Sequence, residues 1–168
     1  MNKSGVLILI LTIILASCLS LCSCFLSPEP PSSSEMEGVL NEYYSELVVV
    51  RDYLLSIEYD TASINFYRDN TMRYFANFKY HDINDADTVE ALKKLIGAGC
   101  SFISKDLSSN RVSFELWWSS QDIGCGVLYR INPDKKPKMQ FLTELNETET
   151  DGWFTYVEDY NVWRREHS

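Results

Sequence analysis

Two histidines bound the acid–base chemistry open to this chain: His81, followed directly by Asp82, and the penultimate His167. An imidazole beside a carboxylate has the residue types of a general base and its orienting partner. No nucleophile elbow surrounds a serine or cysteine, so adjacency is the whole of that signal. The plainer expectation for His81 is a polar residue ending a strand, and for His167 a frayed terminus. Oxygen ligands concentrate at Asp82, Asn84, Asp85, Asp87 and Glu90, a set able to hold Ca²⁺. Counted from Asp82 as an EF-hand-like loop, the sixth position is Asp87 where glycine is needed, and an acidic first helical turn is the alternative. Gly97-x-Gly99 and Gly124-x-Gly126 lack the longer glycine pattern and lysine of phosphate loops and read as turns. None of these motifs implies an organic cofactor.

Aromatic side chains offer a different chemistry. Over Arg111 to Trp118, Val112, Phe114, Leu116 and Trp118 alternate with Arg111, Ser113, Glu115 and Trp117, the pattern of a strand with one buried face. Consecutive tryptophans must then point to opposite faces. With helices on one face only, Trp117 joins Arg111 and Glu115 on the open side, where an aromatic ring beside polar groups suits a sugar or peptide. The alternative is a Trp117 covered by the C-terminal segment Tyr160 to Trp163.

The elements that position these residues follow from periodicity. Ser34-x-x-Glu37 has capping-box grammar, and Met36, Leu40, Tyr43, Leu47, Val50, Leu54 and Ile57 recur at steps of four and three. That predicts one amphipathic helix of about 20 residues, laid on a sheet or paired as a coiled coil. Ala62 to Phe66 and Tyr74 to Tyr80 alternate as two strands about a turn at Asp69-Asn70. Asp87-x-x-Glu90 opens a short helix, Thr88 to Ile96, closed by Gly97. Strands at Cys100 to Lys105, Arg111 to Trp118, Cys125 to Ile131, Lys138 to Leu145 and Gly152 to Val157 complete the pattern. The fold class is α+β: a long N-terminal helix and a short second helix on one face of an antiparallel β-meander. Cys100 and Cys125 fall on opposite neighbours of the middle strand, about 10 Å apart, so they are expected as buried free thiols unless Cys100 lies in the preceding loop. An exported pair would otherwise invite a disulfide.

The first residues say where such a domain resides. Lys3 precedes an apolar run from Val6 to Ala16, the build of a signal-peptide h-region. Leu15-Ala16-Ser17-Cys18 resembles the lipobox of bacterial lipoproteins, a resemblance confined to the N-terminus. It implies cleavage after Ser17 and a diacylglycerol thioether on Cys18, the partner being membrane lipid. Leu21-Cys22-Ser23-Cys24 is a poorer match that would lipidate Cys24. An uncleaved membrane helix is the alternative, weakened by the small, weakly polar residues from Ser17 to Cys24. The chain then divides into a signal peptide (1–17), a Pro- and Ser-rich tether (18–35) and one domain (36–168).

Of 168 residues, 45% are hydrophobic and the formal charge is -9. Losing residues 1–17, which hold one cation, Lys3, and no acid, takes that to -10. Nucleic acid is excluded as a partner on charge, because phosphate binding needs clustered Lys and Arg. The chain therefore reads as a membrane-anchored extracytoplasmic lipoprotein with a non-catalytic binding or accessory module for a protein, peptide or carbohydrate. Two alternatives stand: a small hydrolase-like or Ca²⁺-dependent enzyme using His81 or the Asp82–Glu90 cluster, and an assembly protein pairing through helix 36–57.

Overall fold

The computed structural model describes residues 30–66, 72–119 and 122–167. Cys18 and the Asp69-Asn70 turn lie outside them. The fold is α+β, with four helices and one eight-stranded antiparallel sheet among the described residues.

Chain direction begins with a cap. Ser32, not Ser34, is the N-cap of α1 (Ser33–Glu42), and its capping box closes with Glu35 in place of Glu37. Ser32 Oγ accepts from the Glu35 amide while the Glu35 carboxylate accepts from the Ser32 amide, satisfying two orphan donors at once. Ser33 and Ser34, expected in the tether, are helical because this cap sits two residues earlier. Glu37 is freed to accept a hydrogen bond from the Glu149 amide at 2.9 Å. The apolar stripe from Met36 to Ile57 spans α1 and α2 (Tyr44–Ser56), which meet at Tyr43. Met36, Leu40, Leu47, Val50 and Leu54 are all buried, each contributing roughly 1.5–3 kcal/mol.

Strands β1 (Thr61–Asn65), β2 (Arg73–Ala76) and β3 (Lys79–Asp82) precede α3 (Ala86–Gly97). The stretch Tyr74 to Tyr80 is therefore a hairpin and not one strand. Asn77 and Phe78 both take positive φ, 48° and 62°, the backbone of a two-residue primed turn. Helix α3 starts two residues earlier than its acidic pattern suggests: Asp85 is the N-cap, its Oδ2 accepting from the Thr88 amide at 2.8 Å.

After α3 come β4 (Phe102–Asp106), β5 (Arg111–Trp118), β6 (Ile123–Arg130), β7 (Leu142–Glu147), β8 (Trp153–Asp159) and α4 (Tyr160–Glu166). Spatial order is β3-β2-β1-β4-β5-β6-β8-β7. It departs from a plain meander twice: β4 returns beside β1, and β8 inserts between β6 and β7. The second departure has a compositional cause. Trp153, Phe154, Thr155 and Tyr156 are buried in succession, as a central strand covered on both faces requires, whereas β7 carries Thr143, Glu144, Asn146 and Glu147 exposed at an edge.

The main core joins α1, α2 and α3 to one face of the sheet through Ala62, Ile64, Ile103, Val112, Phe114, Cys125, Val127 and Trp153. On this face Lys105, 2% exposed, donates its Nζ to the Ile57 carbonyl at 2.7 Å, closing the C-terminal end of α2 with a cation. Burial holds that amine below the ordinary lysine range, with Asp60 opposing the shift. A smaller second core of Leu128, Phe154 and Tyr156, packed by Met139, Leu142 and Leu145, covers only the β6-β8-β7 part of the opposite face.

Candidate functional site

The rest of that opposite face is open, and its composition follows from strand register. Ser63 pairs with Phe75 and Ser104, and Ser104 with Ser113, so one row carries an aromatic and three serines. Thr61, Asp106 and Arg111 form the next row, and Asn65, Phe102 and Glu115 the row on the other side. Over these rows lies a cleft of about 560 Å³, lined among others by Ser63, Phe75, Phe78, Phe102, Ser104 and Arg111. Phe78 is 92% exposed at the turn that forms its lip, and Phe75 packs edge-on against Tyr80 at 5.1 Å. On the cleft floor Ser104 and Ser113 share a 2.8 Å hydrogen bond, and Arg111 Nη1 donates to Ser113 Oγ at 2.8 Å. Hydrogen bonds from Ser109 and Ser108 hold the Asp106 carboxyl below its usual range against the opposing effect of burial, with Arg111 assisting.

The face assigned to Trp117 must be corrected. β5 carries a bulge between Glu115 and Trp117: Glu115 pairs with Gly126, and Trp117, only two residues on, pairs with Cys125. One extra residue reverses the alternation. Trp117 consequently packs against the main core with Leu116, while Trp118, 46% exposed, crosses to the open face. Trp118 lies against Gly124, where an added Cβ would come within 2.7 Å of its ring. Gly124 and Gly126 are thus not turn residues. They are buried positions inside β6 that let the bulged strand and the indole approach, and a Cβ on Gly126 would collide with the Phe114 carbonyl.

Arg111 and Glu115 keep the open face. Glu115 Oε1 accepts from Ser101 Oγ at 2.6 Å. Beside them Glu158 pairs with Gly124 and Tyr156 with Gly126. Burial pushes the Glu158 carboxyl up to about 6, with Arg111 pulling it back and Glu115 adding to the rise. Burial likewise raises the Tyr156 phenol well above its ordinary value.

The other candidates are placed apart from this face. His81 stacks on Tyr74 at 4.9 Å and lies 5.5 Å from Tyr59, with Nε2 3.4 Å from the Ala76 carbonyl. Asp82 is its neighbour in sequence but pairs across the hairpin with Arg73. Asp85 is engaged in capping α3, and Asp87 sits in that helix's first turn. Among the described residues no group of three or more His, Cys, Asp or Glu is arranged to hold a metal ion. His167, exposed at the end of α4, stacks on Trp163 at 4.5 Å, and its Nδ1 lies 2.8 Å from the Trp163 carbonyl. Cys100 lies just ahead of β4, and both it and Cys125 are free and buried. Burial, with the charge of Glu115 adding to it, pushes both thiols up to about 12, which leaves them poor nucleophiles.

Sequence reasoning missed Phe75, Phe78, Ser63 and Ser104. The signal at Phe78 was Asn77, a residue that tolerates positive φ, set between two short alternating runs. No protein-family model matches this chain, and neither the curated proteins nor the solved structures hold a significant match.

Proposed function

We propose that this chain is an extracytoplasmic lipoprotein, tethered to the membrane through Cys18, whose domain binds a ligand in the cleft on the open sheet face and performs no catalysis. The observation that carries the binding reading is the one-sided cover of the sheet. A strand face whose register delivers Phe75, Phe102, Ser63 and Ser104 into a cleft of about 560 Å³ offers ring faces and hydroxyls together. That combination suits a carbohydrate or an extended peptide, since aromatic faces supply apolar area and hydroxyls fix orientation. His81 sits in an aromatic stack on the helix side of the sheet, and the two thiols are held protonated, which disfavours an enzyme built on them. Pairing through helix 36–57 would need the domain to open, because its apolar stripe is buried in its own core.

Two measurements test this proposal. Glycan and peptide arrays probed with the wild type and with Ser104→Trp, which fills the cleft, should show binders lost at least tenfold in the variant. Binding equal in both would remove the cleft from the reading. Separately, metabolic labelling with a radioactive fatty acid should mark the wild type and not Cys18→Ser; label retained in that variant would remove the anchor. Among the described residues no helix is long and apolar enough to cross a membrane.

A further inference from the structure

Four of the 15 Lys and Arg residues fall close together, Arg130 at the end of β6 and Lys135, Lys136 and Lys138 in the segment that follows, with one acid, Asp134, among them. None of the four forms a salt bridge within the described residues. The segment is built rather than loose. Asn110, 5% exposed and at φ 58°, donates its Nδ2 to the carbonyls of Asn132 at 3.0 Å and Lys135 at 2.7 Å, and its Oδ1 accepts from the Asn132 amide at 2.7 Å. The Lys138 amide donates to the Ser109 carbonyl at 2.9 Å. The Asn110 side chain and the Ser109 carbonyl together therefore fix the backbone on either side of Lys136.

Between this segment and the sheet lies a separate, partly open pocket of about 130 Å³, lined by Arg130, Lys136, Pro137, Leu145, Glu147 and Phe154. The Arg130 guanidinium stands 5.3 Å from the Phe154 ring, and its Nε is buried with no hydrogen-bond partner. That atom is itself out of a ligand's reach, but the terminal guanidinium nitrogens are not among the buried unpartnered atoms and stay available to a ligand in the pocket. Glu147 lines the same pocket without reaching Arg130, as no ion pair joins them within 4.0 Å.

We propose that this pocket is an oxyanion site: a phosphate-type group accepts from Arg130 and Lys136, and the apolar stem that carries it lies on Phe154, Leu145 and Pro137. Guanidinium is suited to this because its planar fork matches phosphate oxygens. The rigid segment supplies preorganisation, so little ordering is left for the ligand to impose. This site is distinct from the cleft and stands whether or not the cleft binds anything.

Calorimetric titration of the full chain in maltoside micelles tests it, with inorganic phosphate and hexyl phosphate as probes. Hexyl phosphate should bind more tightly than inorganic phosphate, and Arg130→Gln should weaken it at least tenfold while the ligand-free melting temperature is kept. Lys136→Gln should weaken it several-fold, and Glu147→Gln should strengthen it, since it removes the carboxylate facing the anion. No heat with either probe, or binding unchanged in Arg130→Gln, overturns the proposal, as does weaker binding in Glu147→Gln, which would mark a zwitterion. Phosphatidylglycerol doped into the micelles separates the two sources: competition with hexyl phosphate assigns the site to a lipid headgroup, and its absence to a soluble anion.

Discussion

Strands β8 and β3 belong to one sheet and inhabit opposite environments. β8 is enclosed by α1 and α2 on one side and by the Leu128, Phe154 and Tyr156 cluster on the other. β3, at the far edge, keeps Lys79, Tyr80 and Asp82 exposed, and the neighbouring face opens into the cleft. The difference teaches that the sheet is stabilised at one side and displays its chemistry at the other. Doubly covered strands supply apolar burial and tolerate little change, while singly covered ones contribute less and are free to carry polar and aromatic groups.

If that division is real, the largest effect should fall in the doubly covered half. Gly126→Ala places a Cβ against the Phe114 carbonyl across the bulge and should cost about 3 kcal/mol or more, read as a collapsed urea midpoint. Next comes the buried cation at the helix side. Lys105→Ala leaves a cavity and an unpaired Ile57 carbonyl, and should cost about 2–3 kcal/mol. Lys105→Met refills the space and should recover part of that loss in the same urea experiment.

In the open half the sign should reverse. Phe78 is 92% exposed and holds φ 62°, so Phe78→Gly gives up almost no burial and relieves a left-handed backbone. It should raise the melting temperature, stabilising by on the order of 1 kcal/mol after the extra flexibility of glycine is deducted. A loss of stability there would break the comparison.

The smallest effect concerns Glu158, at the seam between the halves. Its carboxyl titrates at about 6 when folded against an ordinary 4.5. Between those values the folded chain binds the proton that the unfolded chain has released, so this group's contribution falls as pH rises through that window and is lost above it. Glu158→Gln should therefore stabilise at pH 7 and not at pH 4, by on the order of 1 kcal/mol or less once solvent screening is allowed for. Thermal melts at both values check it.

Much of the architecture was legible because periodicity reports burial directly. The apolar steps from Met36 to Ile57 and the alternation from Arg111 to Glu115 name residues that do face the core. What escaped is non-local or a matter of one residue. The bulge at Leu116 leaves no mark in local alternation, and it alone exchanges Trp117 and Trp118 between faces. A hairpin at Asn77-Phe78 looks like an uninterrupted strand when an aromatic sits where glycine would be expected. Strand order cannot be read from spacing, so the meeting of β1 with β4, which builds the cleft floor, was out of reach.

The insertion of β8 between β6 and β7 makes the order of synthesis matter. A ribosome delivers β7 before β8, its strand neighbour among the described residues, exists, and until β8 emerges one edge of β6 is bare. The polypeptide thus stays unlatched until β8 is available, so the sheet cannot close in the order in which its strands are made.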